Sequence, residues 1–349
     1  MSLPLALLLV VIGGILCGIF SLPVTNTPRW KFEHIWFLGS LFSLLIIPWP
    51  LVFLTAPDVG ALYASVPPGV LLAVILSGAA WGIGGIFWGR GIEALGVALG
   101  VSLMMTLITV SGSAGPLAIF EPAKFATSGG LALLGALAVM TAGVIVMAMA
   151  GKLRAREQSA PSAAAAAAAA SKVKIPFLIG LTFAIISGIF SAGLNFGFVF
   201  GAPISAKAAE AGVPAYATGF AIWSLVFTAN YGINALYGLW MMMKNGTLSR
   251  LIPDSKPSYW LAAIFMGLAW PGGIIIYGIG AGAMGRYGPY VAFPMLLLVS
   301  ILAGNAAGAI TGEWKGTTSK PRRIMLAGVV ILCLAFVLLG ISNSLLARS

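Results

Sequence analysis

Ten mostly apolar stretches follow one another along this 349-residue chain, each close to the length that spans a bilayer as a helix, about 20 residues. They lie near 2–22, 34–55, 68–89, 92–113, 128–150, 175–199, 214–242, 258–280, 288–311 and 323–346. Only 8% of the residues are charged and 60% are hydrophobic, whereas soluble domains carry roughly 25% charge. A water-soluble fold of this size could not cover its surface with so few charges. A bilayer demands no such cover, so the chain reads as an all-α integral membrane protein.

The sparse polar residues exclude several functions. His34 is the single histidine, and Cys17 and Cys333 both sit in apolar runs with neither a disulfide framework nor metal-ligand spacing. There is no P-loop and no Ser-His-Asp or Cys-His set, so no enzyme, cofactor or metal site is expected. Nothing resembles a selectivity filter or a ring of charge. The net charge of +11 would suggest nucleic acid in a soluble protein, but here it is sorted by membrane face. Loops after even-numbered spans and the C-terminal tail hold Lys124, Lys207, Arg286 and Arg348, and the remaining 15 of the 19 Lys and Arg follow odd-numbered spans. By the positive-inside rule the odd loops are cytoplasmic and both termini face outward. Met1-Ser2-Leu3-Pro4 lacks a basic leader, so the first span is read as retained.

The chain also repeats itself. Residues 151–174, basic and carrying eight alanines from Ala163 to Ala170, separate a first half (1–150) from a second (175–349), with five spans in each. The segment reads as a cytoplasmic, Ala-rich linker with some helical tendency. Gly18-Ile19-Phe20-Ser21 recurs as Gly188-Ile189-Phe190-Ser191. At a constant offset of 189, Gly78, Ala80, Trp81, Gly84, Ile86, Gly89, Gly91, Ala94 and Gly96 match Gly267, Ala269, Trp270, Gly273, Ile275, Gly278, Gly280, Ala283 and Gly285, with Trp88 opposite Tyr277. An odd number of spans per repeat inserts the second copy upside down. Inverted five-helix repeats place a binding site near the bilayer midplane and permit alternating access, which suits a transporter. Gly78, Gly82, Gly85 and Gly89 run along one side of the third span, spaced for close helix packing.

Several of these segments resemble the L-rhamnose–proton symporter family of the drug/metabolite transporter superfamily. The resemblance rests on Trp81-Gly82-Ile83-Gly84 followed by Gly89 and Leu95-Gly96, and on Gly188-Ile189-Phe190-Ser191-Ala192-Gly193 followed by Phe196 and Pro203. It is extended by Glu313-Trp314 before a basic loop, Pro23, Trp30-x-x-Glu33-x-x-Trp36, Pro48-Trp49, Asn234, and Trp270 with Tyr277, and so covers both halves. It implies a ten-span carrier of the bacterial inner membrane that imports a 6-deoxyhexose with a proton. Gly85 and Gly273 stand where the enterobacterial pattern has an amide, and Val199 where it has an asparagine. The sugar is therefore read as L-rhamnose or a similar 6-deoxyhexose. The rival reading is a carrier or exporter of another small solute, such as an amino acid, with or without proton coupling. The oligomeric state is not legible.

A sugar site needs hydroxyl-binding side chains and aromatic faces for C–H groups. Trp81, Trp88, Trp270 and Tyr277, within the matched spans, are the aromatic candidates, with Ser191, Asn195, Asn230 and Asn234 as the polar ones. For each hydroxyl or amide the competing role is an interhelical hydrogen bond, worth about 0.6–2 kcal/mol. Trp49 and Trp260, near span ends, read as interfacial belt residues. Among the eight acids, Glu33 at the start of the second span is the first proton-coupling candidate, against a helix-terminal role. Glu93, expected in a tight turn beside Arg90, is the second. No acid sits in the middle of an apolar run, which leaves a sodium ion, or no coupling ion, as further alternatives.

Overall fold

The computed structural model describes residues 1–23, 27–158 and 175–348. The Ala163–Ala170 run, with most of the expected linker, lies outside the described residues. The described chain is helical throughout, with no strand. Its helices are α1 Leu3–Ile19, α2 Phe32–Ser40, α3 Pro48–Thr55, α4 Val59–Ala64, α5 Pro68–Leu95, α6 Val97–Phe120, α7 Ser128–Gln158, α8 Phe177–Ser191, α9 Gly193–Phe200, α10 Ala202–Glu210, α11 Phe220–Lys244, α12 Pro257–Ala283, α13 Gly288–Ile310 and α14 Ser319–Leu346. Prolines in the first turns of α1, α5, α12 and α13 start helices where an N–H has no intrahelical partner in any case.

Among the described residues, eight helical segments are long and apolar enough to cross a membrane. Two of them are interrupted rods. Phe32–Thr55 joins α2 to α3 through a π-helical segment, Leu41–Ile46, and Phe177–Glu210 joins α8, α9 and α10. Two more apolar helices accompany the eight: α1, with 17 residues, and α11, with 25, whose hydropathy is lowered by asparagines, a threonine and tyrosines. The expected turn around Glu93 is displaced. α5 runs on to Leu95, so Glu93 lies in its last turn, and Gly96 alone, at φ 77°, separates α5 from α6. Only glycine enters that region without a Cβ penalty.

The two halves of the chain interleave. α1 packs on α12 and α13, α5 on α8 and α11, α6 on α8, and α2 with its π segment on α11 and α12. α7 and α14 lie against each other along their lengths at one side. Small residues set the closest approaches: a Cβ on Gly84 would come within 2.6 Å of the Ser191 nitrogen, and one on Gly273 within 2.7 Å of the Cys17 sulfur. The glycine stripe on α5 divides. Gly78 and Gly82 press on Val226 and Ile233 of α11, whereas Gly85 and Gly89 face nothing within 4 Å. Half the stripe is packing and half is open space.

Prolines inside helices create hydrogen-bond acceptors for the cross-links. Pro116 and Pro294 lack the N–H that would pair with the carbonyls of Gly112 and Tyr290. Asn195 Nδ2 donates to the first at 2.7 Å, and the Ser113 hydroxyl donates to the second. Trp49 is not a free belt residue: its indole N–H donates to Thr228 Oγ1 at 2.9 Å. Nearby, the Tyr63 hydroxyl donates to the Ala221 carbonyl at 2.9 Å and pairs with Ser224 at 2.8 Å. Burial pushes that phenol up to about 12, against the opposing effect of the Ser224 hydrogen bond.

Candidate functional site

Trp81 and Trp270, matched in sequence at the offset of 189, meet in space. Their rings stack at 5.0 Å with planes 18° apart. They line a cavity of about 780 Å³, within the usual range for small-ligand sites, about 300–1,000 Å³. The cavity opens at the end that carries Arg90, Glu93, Lys244 and Asn245. Trp88, Ser191, Asn230 and Asn234 also line it, so six of the eight expected sugar-contacting residues share one cavity. Gly85 and Gly89 supply bare backbone to the same wall.

The polar groups of this wall are organised from α11. Asn230 and Asn234, one turn apart, put both amides on one face. Asn234 Nδ2 donates to the Asn230 carbonyl at 3.2 Å and to its side-chain oxygen, and Asn234 Oδ1 accepts the Trp36 indole N–H at 2.9 Å. Among the described residues, Asn230 Nδ2, the Ser191 hydroxyl and the indole N–H groups of Trp81 and Trp270 have no protein partner. Stacked aromatic faces beside unspent donors suit a polyol with an apolar edge.

The structure does not bring Asn195 and Tyr277 to the cavity. Tyr277 is fully buried and donates to Asn195 Oδ1 at 2.7 Å. Asn195 Nδ2 spends its protons on the Gly112 and Pro289 carbonyls, at 2.7 and 3.1 Å. Together they tie α9, α6, α12 and the start of α13 behind the wall. Glu33 is also buried outside the cavity lining, accepting from Asn245 Nδ2 at 3.0 Å and Thr247 Oγ1 at 2.9 Å. Its neighbours Phe32, Trp36 and Asn245 do line the cavity. Glu93 stands at the mouth, 3.4 Å from Arg90, with both side chains about half exposed.

Trp36 is the residue that sequence reasoning missed. It enters the sequence only as the end of the Trp30-x-x-Glu33-x-x-Trp36 run, yet it lines the cavity and holds Asn234. A signal was present: Ile35-Trp36-x-Leu38 recurs as Ile222-Trp223-x-Leu225.

A second cavity, about 1220 Å³, opens at the opposite end, where Met1, Glu121 and Arg286 lie. Its floor is aromatic. Trp223 stacks on Phe198 at 4.7 Å and on Phe227 at 5.6 Å, and Phe227 in turn meets Trp270 at 5.7 Å. Across this end Arg286 pairs with Glu121 at 2.6 Å and the Tyr287 hydroxyl donates to the same carboxylate at 2.8 Å. None of the eight expected sugar-contacting residues lines this cavity.

Known proteins extend this picture. A family model described as L-rhamnose-proton symport protein (RhaT) matches residues 2–344. An L-rhamnose-proton symporter of Mannheimia succiniciproducens is 26% identical over 339 residues, which is 95% of each chain. One of Yersinia pestis is 26% identical over 338 residues, again 95% of each chain. The resemblance seen in the sequence therefore extends from end to end, and with it this chain belongs to the L-rhamnose-proton symport protein family.

Proposed function

We propose that this chain imports L-rhamnose or a similar 6-deoxyhexose together with a proton, by alternating access across a bacterial inner membrane. As a member of a symporter family it is a carrier and not an enzyme. The observation that carries the reading is the Trp81–Trp270 stack. Two repeat-related residues touch, at the floor of a cavity whose wall offers Asn230 and Ser191 donors. Residues related by a two-fold axis can touch only close to that axis, which in inverted-repeat carriers is where substrate binds.

The packing supports ten spans in two inverted five-helix repeats, 1–150 and 175–349, with the linker 151–174 on the cytoplasmic side. α1 on α12 has its counterpart in α5 on α8, α1 on α13 in α6 on α8, and α5 on α11 in α2 on α12. Gly96 and Gly285, equivalent in the two copies, both adopt positive φ, at 77° and 90°. The distribution of basic residues supports an orientation with both termini outside and the 780 Å³ cavity open to the cytoplasm.

In this reading Trp81, Trp88 and Trp270 pack on C–H faces of the sugar, and Ser191, Asn230 and Asn234 bind its hydroxyls. Asn195 and Tyr277 hold the wall from behind. Glu33 is the first candidate for the coupling proton, because protonation would remove acceptor strength from the Asn245 and Thr247 hydrogen bonds that fix α2 beside the cavity. Glu93 is the second, at the mouth. The test is uptake of labelled L-rhamnose into proteoliposomes under an imposed inward proton gradient. Gradient-driven accumulation, competed by 6-deoxyhexoses, is expected. Uptake that ignores the gradient would remove the coupling, and failure of L-rhamnose to bind would point to another solute.

A further inference from the structure

Trp36 and Trp223 occupy equivalent places near the starts of α2 and α11, within the recurring Ile-Trp-x-Leu segment. Gly89 and Gly278 are equivalent on α5 and α12. The two Trp–Gly pairs are nevertheless in different conditions. Trp223 lies on Gly278, so closely that a Cβ there would sit 2.6 Å from the indole nitrogen, and Trp223 is 1% exposed, stacked on Phe198. Gly89 faces nothing within 4 Å, and Trp36 stands away from it, stacked on Phe32 at 5.4 Å and bonded to Asn234. One cavity has its tryptophan laid on the equivalent glycine and the other has its tryptophan standing away from it.

The helices that carry them differ in the same sense. α11 runs unbroken for 25 residues, whereas α2 ends after nine, in the π-helical segment Leu41–Ile46 followed by Pro48. A π segment interrupts the regular ladder and is a place where a helix bends. The hydroxyls of Ser40 and Ser43 turn back onto the carbonyls of Phe37 and Gly39 at the same place. In this conformation α2 therefore carries a pivot that the straight α11 does not.

We propose that Trp36 and Gly89 form the gate of the 780 Å³ cavity. To shut this mouth, α2 pivots on the π segment, Trp36 leaves Asn234, and its indole comes to rest on Gly89 as Trp223 now rests on Gly278. Freed from Trp36, Asn234 Oδ1 can turn to the enclosed substrate. In the same transition Trp223 rises from Gly278 and opens the floor of the 1220 Å³ cavity toward the Trp81–Trp270 stack. Gly89 is thus a glycine for a contact that this conformation does not make. The inference rests on the inverted-repeat, alternating-access reading above.

The test is the distance between spin labels at Lys31→Cys and Arg90→Cys, on either side of the mouth, in the full chain with Cys17 and Cys333 replaced by serine. Proteoliposomes are measured with and without L-rhamnose at two pH values. The unmodified gate is expected to show a long and a short population. Gly89→Val, whose Cβ meets nothing within 4 Å in the open form, should lose the short population and at least 10-fold of gradient-driven uptake, without a lowered thermal midpoint. Gly89→Ala should do so partially. Gly278→Val should act oppositely and enrich the short population. If both populations persist in Gly89→Val, the gate is wrong while alternating access stands. A single distance under every condition in the unmodified gate overturns both.

Discussion

At the scale of single residues, two kinds of polar group in this protein must be told apart: those that hold the wall and those that face the cavity. Tyr277 and Asn195 complete each other's hydrogen bonds in a buried network. Tyr277→Phe leaves Asn195 Oδ1 unpaired and should cost about 1–3 kcal/mol of stability. A lowered thermal midpoint with unchanged sugar affinity checks that assignment. Trp81→Ala removes a stacked face from the cavity floor instead. It should weaken L-rhamnose binding at least 10-fold, about 1.4 kcal/mol, with the affinity measured by calorimetry. Glu33→Gln keeps an acceptor for Asn245 and Thr247 but carries no titrating proton. Gradient-driven accumulation should disappear while sugar exchange across equilibrated membranes continues, and normal accumulation would remove Glu33 from the mechanism.

At the scale of helices, α5 holds a contrast between neighbours. Gly84→Ala forces a methyl group onto the Ser191 backbone, and overpacking of that kind costs about 1–3 kcal/mol. Gly85→Ala meets nothing within 4 Å and should gain up to about 1 kcal/mol of helix propensity. Thermal unfolding in detergent should move the two variants in opposite directions. The sequence carries the stripe of glycines but not this division, because spacing along a helix does not say which neighbour sits opposite. The same limit explains the other differences. Eight membrane-length segments were legible because they are long and apolar enough on composition alone, and the six cavity residues because aromatic, amide and hydroxyl side chains stand out in such spans. The displacement of Glu93 into α5 and the π segment in Phe32–Thr55 were not legible, since both depend on backbone geometry. One turn after Ser191, Asn195 reads as a cavity residue, and the carbonyls that instead bind it belong to Gly112 and Pro289, 83 and 94 residues away in sequence.

For the whole molecule, the arrangement of packed pairs is a statement about topology. If α1 is the equivalent of α8 turned over, the two termini lie on one face and the basic loops on the other. Single cysteines added at the two termini, in a background lacking Cys17 and Cys333, should both react with a membrane-impermeant thiol reagent in spheroplasts. A cysteine at Lys244 should react only after lysis. Labelling of one terminus and not the other would exclude an even number of spans and with it the paired five-helix arrangement. Arg154 at the end of α7 pairs with Glu313 at 2.6 Å, and Glu157 accepts from the Thr318 backbone at 2.8 Å. These contacts tie α7 to the loop leading into α14.

The two stacked indoles have an optical consequence. Chromophores 5.0 Å apart and 18° from parallel couple their electronic transitions, and a coupled pair of fixed handedness gives a bisignate circular dichroism band. The protein therefore carries an intrinsic reporter where its two halves meet. Subtracting the spectrum of Trp81→Phe isolates this signal from the Trp30–Trp260 pair. If the protein works by the alternating access proposed above, the amplitude should change when L-rhamnose or a pH step redistributes the conformers.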